Sequence, residues 1–77
     1  MFRNFLDVIK DKKFKIVLGT DFVDVINYID IVNFDFDDVT IKFSDRLLKI
    51  KGNNLVIDKL LNDEVLIKGE IKKIEII

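Results

Sequence analysis

The sequence contains no cysteine, histidine, proline, tryptophan or alanine, and only one serine and three glycines. Without cysteine the chain can form neither a disulfide nor a thiolate zinc site. Without histidine or cysteine, and with Ser44 as the only serine, the usual nucleophile and base pairs of hydrolytic enzymes cannot be assembled. The isolated glycines provide no phosphate-binding loop. We therefore predict a protein that is not an enzyme and uses no cofactor.

The chain also lacks a long apolar run and a strong net charge. No stretch approaches the roughly 20 apolar residues that span a bilayer, and the first residues do not follow the signal-peptide pattern. Thirteen Lys and Arg against 14 Asp and Glu give a net charge of -1, without the basic excess that is typical of nucleic-acid binding. We expect a cytoplasmic protein with no membrane span and no nucleic-acid partner.

Charge is distributed unevenly along the chain. Residues 1–20 carry +3, residues 21–45 carry -6 and residues 46–77 carry +2. This alternation suits docking between sheets or between copies, and it also suits a solvated mixed surface. A chain of 77 residues hides only about 60 to 65% of its unfolded surface, so its core is thin. We therefore expect self-association, binding to a partner protein, or both.

Branched side chains dominate the composition and predict strands. Isoleucine, valine and threonine make up 23 residues, and stiff branched side chains fit a pleated sheet better than a helix. Residues 39–43 alternate between apolar and polar, as a half-buried strand does. Residues 48–51 repeat this pattern, and residues 52–54, Gly-Asn-Asn, tolerate positive φ. We predict a hairpin that turns at 52–54 and returns as residues 55–57.

Other segments give weaker signals. Residues 19–21 and 60–64 are predicted turns, Gly69 is a predicted bulge, and one irregularity is expected between Ile71 and Ile74. Residues 22–36 contain no breaker, which predicts one long extended stretch. Polar residues recur there at every third position from Asp21 to Asn33, which is neither a strand nor a helix period; bulges or burial on both faces would account for it.

Together these segments predict a single β-rich domain over residues 1–77. The fold class is all-β: a small antiparallel meander or sandwich, or a short β-solenoid-like sheet, of about six to seven short strands. Residues 2–10 form either a short helix or a strand. With no proline to protect an edge strand, Lys42, Lys49 and Lys68 are the visible charged guards.

One acidic segment has partial calcium-loop spacing. Asn33, Asp35 and Asp37 occupy positions one, three and five, but position six is Asp38 instead of glycine and position twelve is Ser44 instead of glutamate. We predict no metal site. A small ligand- or cation-binding module using Asp35, Asp37 and Asp38 is the alternative function.

The candidate contact residues are selected by two criteria. Some are expected to be exposed on the predicted strands and turns, and others lie in the basic, aromatic first residues of the chain. The first residues combine phenylalanine with lysine, a composition suited to an anionic membrane surface or a partner protein. The predicted partner-binding residues are Phe2, Phe5, Lys12, Lys13, Thr40, Lys42, Asn53 and Asn54.

From Val25 onward the sequence resembles the YabP/YqfC family of sporulation proteins from endospore-forming bacteria. Two patterns carry most of the resemblance: Leu-x-Ile-x-Gly-x-x-Leu-x-Ile, and after it Ile-x-Gly-x-Ile-x-x-Ile-Glu. The matching segments cover about two-thirds of the chain and are residues 26–28, 31–34, 39–41, 47–57 and 64–75. The sequence departs from the family at Asp30, where glycine is common, and at residues 45–46, where a Lys-Gly turn is usual.

The resemblance implies a small β-rich protein that is needed during spore formation. It implies action together with a membrane-associated sporulation protein in the mother cell, in the cytoplasm or at the periphery of a membrane. The family has no established catalytic residues to carry across. Together with the composition, this predicts a non-enzymatic structural or adaptor protein that acts through sheet edges and complementary charge.

Overall fold

The computed structural model describes residues 13–77, which form an all-β structure. Its six strands form one open antiparallel sheet in the order β1-β2-β6-β5-β4-β3. The strands are β1 (Lys15–Leu18), β2 (Phe22–Ile26), β3 (Asp30–Asp35), β4 (Asp38–Phe43), β5 (Arg46–Leu60) and β6 (Glu64–Ile76). The predicted class is confirmed, although β5 and β6, with 15 and 13 residues, are not short. The helix or strand expected at residues 2–10 lies outside the described residues.

The long β5–β6 hairpin joins two halves of the sheet. The start of β6, residues 64–68, pairs with β2, whereas the start of β5, residues 46–51, pairs with β4. We call the part built from β1, β2, the start of β6 and the end of β5 the β1 half. The part built from β3, β4, the start of β5 and the end of β6 is the β3 half.

The connection between β2 and β3 requires the two halves to face each other. These strands lie four positions apart in the sheet, about 19 Å if the sheet were flat. The four residue steps from Ile26 to Asp30 reach at most about 14 Å. Within the connection, Asn27 N–H donates to the carbonyl of Asp63 in the hairpin loop, and Ile29 N–H donates to the carbonyl of Lys42 in the β3 half. The sheet is therefore strongly curled.

This connection corrects the prediction that residues 22–36 are one extended stretch. The stretch is broken at residues 27–29, where Asn27 adopts φ 65°. Asparagine tolerates this left-handed conformation because its short side chain can bond locally. The polar spacing of three now has an explanation. Asp21 and Asn27 lie in connections and Asp30 begins β3, while a bulge at Val32 shifts the register before Asn33.

The predicted hairpin at residues 52–54 is wrong, because β5 continues through it without a turn. Asn54, at φ 55°, lies opposite Gly69, at φ 140°, where the β5–β6 register shifts. A residue that tolerates positive φ satisfies a bulge as well as a turn. The amides of Gly52 and Leu55 donate to the carbonyls of Asp37 and Phe36. The Gly-Asn-Asn segment is thus a bend in a long strand, held against the β3–β4 turn.

Other local predictions are confirmed. Residues 19–21 and 61–63 connect consecutive strands. Gly69 lies at an irregularity inside β6, as predicted, and the expected irregularity between Ile71 and Ile74 is a register shift at Lys72. Bulges increase the twist and bend of a strand. Three of them in one hairpin account for its curl.

The core lies between the two halves and follows the strand alternation. The β1 half contributes Val23, Val25, Val65 and Ile67, each fully buried. The β3 half and the middle of β5 add six more buried side chains, which are Val39, Ile41, Phe43, Leu48, Ile50 and Leu55. Next to this core, Phe14 stacks on Phe43 with ring centroids 3.6 Å apart. The stack ties the residue before β1 to the end of β4, across the two halves.

Candidate interaction surfaces

Sheet edges are the main candidate for function. Within residues 13–77, the outer sides of β1 and β3 and the second halves of β5 and β6 have no neighbouring strand. Besides the irregularity at Asn54, β5 and β6 each have a bulge whose extra residue is charged, Asp58 in β5 and Lys72 in β6. Charged bulges are a common way for natural sheets to prevent an edge from pairing. The edges of β1 and β3 have no charged bulge in the described residues, so they are the candidate surfaces.

The β3 edge exposes a row of large apolar side chains. Its extra residue at the bulge is Val32, which is 54% exposed, and Phe34 and Phe36 are 40% and 63% exposed. The carboxylates of Asp30 and Asp35 stand at the two ends of β3, and the amide of Phe36, in the turn that follows, donates to Asp35 Oδ1 at 2.8 Å. The β3 edge is therefore apolar in the middle and negatively charged at its ends.

The β1 edge is apolar and positively charged. Val17 and Leu18 are exposed, as are Lys13 and Lys15. The carbonyl of Lys13 accepts a hydrogen bond from Asn27 Nδ2 at 2.6 Å, which fixes the start of β1 against the β2–β3 connection. The two candidate edges thus carry opposite charge.

The lysines predicted to guard the edges lie elsewhere. Lys42, Lys49 and Lys68 belong to β4, β5 and β6, all inside the sheet order. Sequence reasoning could not place them, because which strand becomes an edge depends on the order of pairing. Val32, Phe34 and Lys15 were missed as edge residues for the same reason.

Five of the predicted partner-binding residues lie in the described part of the chain. Phe2, Phe5 and Lys12 lie outside the described residues. Lys13, Lys42, Asn53 and Asn54 are exposed, and Asn53 Nδ2 donates to Glu70 Oε1 at 3.0 Å. Thr40 faces away from Val39 and Ile41 as expected, but it is only 8% exposed. The expectation that Thr40 is an accessible outward position is therefore corrected.

The acidic segment does not converge on a cation site. Asp35 and Asp38 are paired residues of the β3–β4 hairpin and Asp37 lies in its turn. Among residues 13–77, no group of three or more carboxylates is close enough together to hold a metal ion. The geometry of the described residues therefore gives the cation-binding alternative no support.

A carboxyl pair on the outer face of the β1 half has an altered pKa. Partial burial, followed by the hydrogen bond and charge of the Glu64 carboxyl, raises the pKa of Asp24 above its ordinary value. Lys59 and Lys15 lower it by less. Asp24 Oδ1 is enclosed and accepts no hydrogen bond. The ionised form of Asp24 is therefore disfavoured in the fold.

Asp24→Asn is expected to raise the melting temperature at pH 7. Folding raises the pKa of this carboxyl, so its destabilising effect is absent below the unfolded pKa, near 3.8. The effect grows as the pH rises from there to the folded pKa and is fully present above it. The gain should therefore disappear near pH 3. Thermal unfolding followed by circular dichroism at both pH values measures this. Asp45→Asn removes one charge from an exposed turn and is the control. An equal gain at pH 3 and pH 7 would contradict the assignment.

A cleft lies where three connections of the described chain meet. It has a volume of about 710 Å³ and lies between residues 27–29, the β4–β5 turn and the β5–β6 turn. The Tyr28 hydroxyl at its wall donates to the carbonyl of Leu61 at 2.7 Å, and Asn27 donates to Lys13. These polar side chains tie the connections to each other. We therefore interpret the cleft as the place where the connecting loops are joined by hydrogen bonds, rather than as a binding site.

The family relationship of the chain follows from a comparison with known families. A family model described as YabP family matches residues 10–76, which is nearly the whole chain. The chain belongs to the YabP family. The family resemblance inferred from the sequence is thus confirmed. No curated protein and no solved structure gives a significant match.

Membership of the YabP family indicates a biological process but does not specify a molecular activity. The YabP family is associated with sporulation and is not a known enzyme family. No helix in residues 13–77 has the length and apolarity needed to cross a membrane. In this YabP-family chain, the exposed edges of β1 and β3 are the candidate binding surfaces.

Proposed function

We propose that this YabP-family chain acts in endospore formation as a non-enzymatic structural or adaptor protein that binds other proteins through the β3 edge. The observation that carries this proposal is the exposed apolar row at an edge with no neighbouring strand among residues 13–77: Val32 and Phe34 in β3, and Phe36 in the turn that follows. An unpaired strand offers a row of backbone donors and acceptors to an incoming strand. Family membership supplies the biological setting.

Strand addition explains how such an edge gains both affinity and specificity. Main-chain hydrogen bonds provide affinity, and alternate side chains provide specificity. At this edge Phe34 pairs within the sheet with buried Val39 yet remains 40% exposed, so an added strand would cover its outer part. The flanking carboxylates of Asp30 and Asp35 favour a partner strand with basic residues. The partners are another copy, a membrane-associated sporulation protein, or both.

The chemistry of the described residues supports a binding role over catalysis. Ser44, the only serine, occupies an exposed turn at φ 52° between β4 and β5. Asp24 and Glu64 form a close, partly buried carboxyl pair, but neither residue lines the cleft. The exposed apolar row is the feature without a role inside the described fold.

Val32→Lys is expected to weaken binding at the β3 edge by roughly tenfold, which corresponds to about 1.4 kcal/mol. A charged side chain in the apolar row must be desolvated when a strand adds there, and lysine at edges is a natural block to pairing. In an endospore-forming host whose own gene is replaced by the variant, we expect fewer heat-resistant spores at an unchanged protein level.

Leu61→Lys is the matched control for this experiment. Leu61 is 48% exposed and lies in the β5–β6 connection, so it is not part of β3 or of its apolar row. Like Val32→Lys, the Leu61→Lys substitution introduces one positive charge at an exposed aliphatic position. The control should leave the spore count unchanged. A normal spore count for a folded Val32→Lys protein would overturn the proposed role of the β3 edge.

A further inference from the structure

We propose that the β1 edge of one copy pairs with the β3 edge of the next, so that copies of this chain join head to tail into one continuous sheet. The inference rests on the proposed function, because it names a partner for the same β3 edge. It follows from three properties of the two edges: strand direction, the faces of the side chains and charge. Each property restricts the pairing independently.

Strand direction fixes an antiparallel joint. Every neighbouring pair in the sheet is antiparallel, so the strand direction alternates from β1 to β3 across six positions. The two edge strands therefore run in opposite directions. Copies that keep the same orientation along the sheet then place β1 antiparallel to the next β3. The start of β1, at Lys15, lies beside the end of β3, at Asp35.

Side-chain faces match in this arrangement. Ile16 is paired with Val25, and Phe34 with Val39, and both partners are fully buried. Paired residues in a sheet share a face, so Ile16 and Phe34 both point to the core side. Placing Lys15 opposite Asp35 puts Ile16 opposite Phe34.

The next position continues the match. Val17 falls opposite Asn33, and both lie on the outer face of the sheet. One register therefore aligns both faces of the two edges. A shift by one residue would place every apolar side chain opposite the wrong face.

Charge distinguishes this joint from pairing of like edges. Opposite charges directly across a strand pair are favourable, and like charges are unfavourable. Lys15 opposite Asp35 is a favourable pair. Two β3 edges in antiparallel contact would place Asp35 opposite Asp30 twice, and two β1 edges would offer only positive charge. The β1-to-β3 joint is the combination in which the charges attract.

A joint between two copies occupies one edge of each copy and leaves the other edge of each available. Each copy that joins through β1 still presents β3, so the contact is heterologous and growth continues unless a ring closes. The expected species are therefore a series of lengths. A symmetric dimer is the outcome that an isologous contact would give instead.

Sedimentation of the purified full chain over a hundredfold concentration range tests the joint. The weight-average mass of the wild type should rise continuously from the 9.0 kDa monomer past the dimer. Lys15→Glu alone and Asp35→Lys alone each place like charges across the joint. Each should lower the association constant by roughly threefold to tenfold.

An equal mixture of the two variants provides the decisive control. The new carboxylate of Lys15→Glu faces the new amine of Asp35→Lys, and the native Lys15 of the second variant faces the native Asp35 of the first. The mixture should regain wild-type assembly as an alternating polymer. Recovery also shows that both variants fold, because a misfolded chain could not assemble on mixing.

Three outcomes would overturn the joint: a monomer throughout, a mass that stops at the dimer, or a mixture no better than its components. These outcomes are separate from the fate of the proposed function. If assembly fails while Val32→Lys still lowers the spore count, the β3 edge binds a different protein. If the charge variants and their mixture assemble as expected while Val32→Lys leaves the spore count normal, the proposed function is wrong and the joint is supported.

Discussion

Gly52→Ala is expected to lower the free energy of unfolding by roughly 3 kcal/mol or more, enough to leave much of the chain unfolded. A Cβ atom at this position would overlap the backbone carbonyl oxygen of Glu70 on the neighbouring strand. The carbonyl cannot move away unless the β5–β6 pairing opens. This hairpin connects both halves of the sheet, so strain at Gly52 spreads to the whole fold.

Urea unfolding followed by circular dichroism measures this loss, with Gly19→Ala as the control. At Gly19 the added Cβ would meet the Phe22 ring, which is a half-buried side chain that can rotate. The control should therefore be much milder. At Gly69 the added Cβ would lie 2.7 Å from the carbonyl oxygen of Asn54, at φ 140°, so Gly69→Ala should behave like Gly52→Ala. A Gly52→Ala protein as stable as the wild type would contradict the close contact of the two strands.

Ile50→Ala is expected to cost about 2 to 5 kcal/mol of unfolding free energy. Ile50 is fully buried between the halves of the sheet, and its loss removes apolar contact and leaves a cavity. In a chain of 77 residues the core is small, so one such cavity is a large fraction of the total stability.

Val56→Ala on the same strand is the matched control for Ile50→Ala. Val56 is 52% exposed, so its truncation should cost less than about 1 kcal/mol, mostly from lower strand preference. Chemical denaturation of both variants measures the difference. Equal costs at the two positions would show that the core does not lie between the two halves as described.

Local chemistry explains where sequence reasoning succeeded. Residues 39–43 alternate because one face of β4 packs into the apolar core, where Val39, Ile41 and Phe43 lie. The turn at 19–21 and the bulge at Gly69 depend on the conformational freedom of glycine and its neighbours, which the residue type reveals directly. These features are decided by a few adjacent residues.

The Gly-Asn-Asn segment shows where local chemistry is ambiguous. Positive φ at Asn54 is compatible with a tight turn and with a bulge, and the sequence fits both. The outcome depends on the partner strand. Continuing β5 to Leu60 allows it to pair with β6 from Leu48 onward, and a turn at 52–54 would forfeit half of that ladder.

Identifying the candidate edges required information from residues still farther apart in the sequence. Val32 and Lys15 belong to different predicted strands, and nothing near either residue indicates that it lies at an edge. Only the order of pairing, with β6 and β5 between β2 and β4, makes β1 and β3 the outermost of the six described strands. The charges of the segments were visible in the sequence, but the arrangement of opposite charge at opposite edges was not.

The sequence by itself determined the all-β class, the strand alternation that builds the core, the main turns and bulges, the lack of the usual catalytic groups and the family. Each of these depends on residue type or on spacing within a few residues. The tertiary structure decided that β5 runs unbroken, that the sheet curls at residues 27–29, and that β1 and β3 are the edge strands of the sheet formed by residues 13–77. Those outcomes depend on which distant strands pair, because pairing buries the apolar faces and satisfies the backbone of the whole sheet at once.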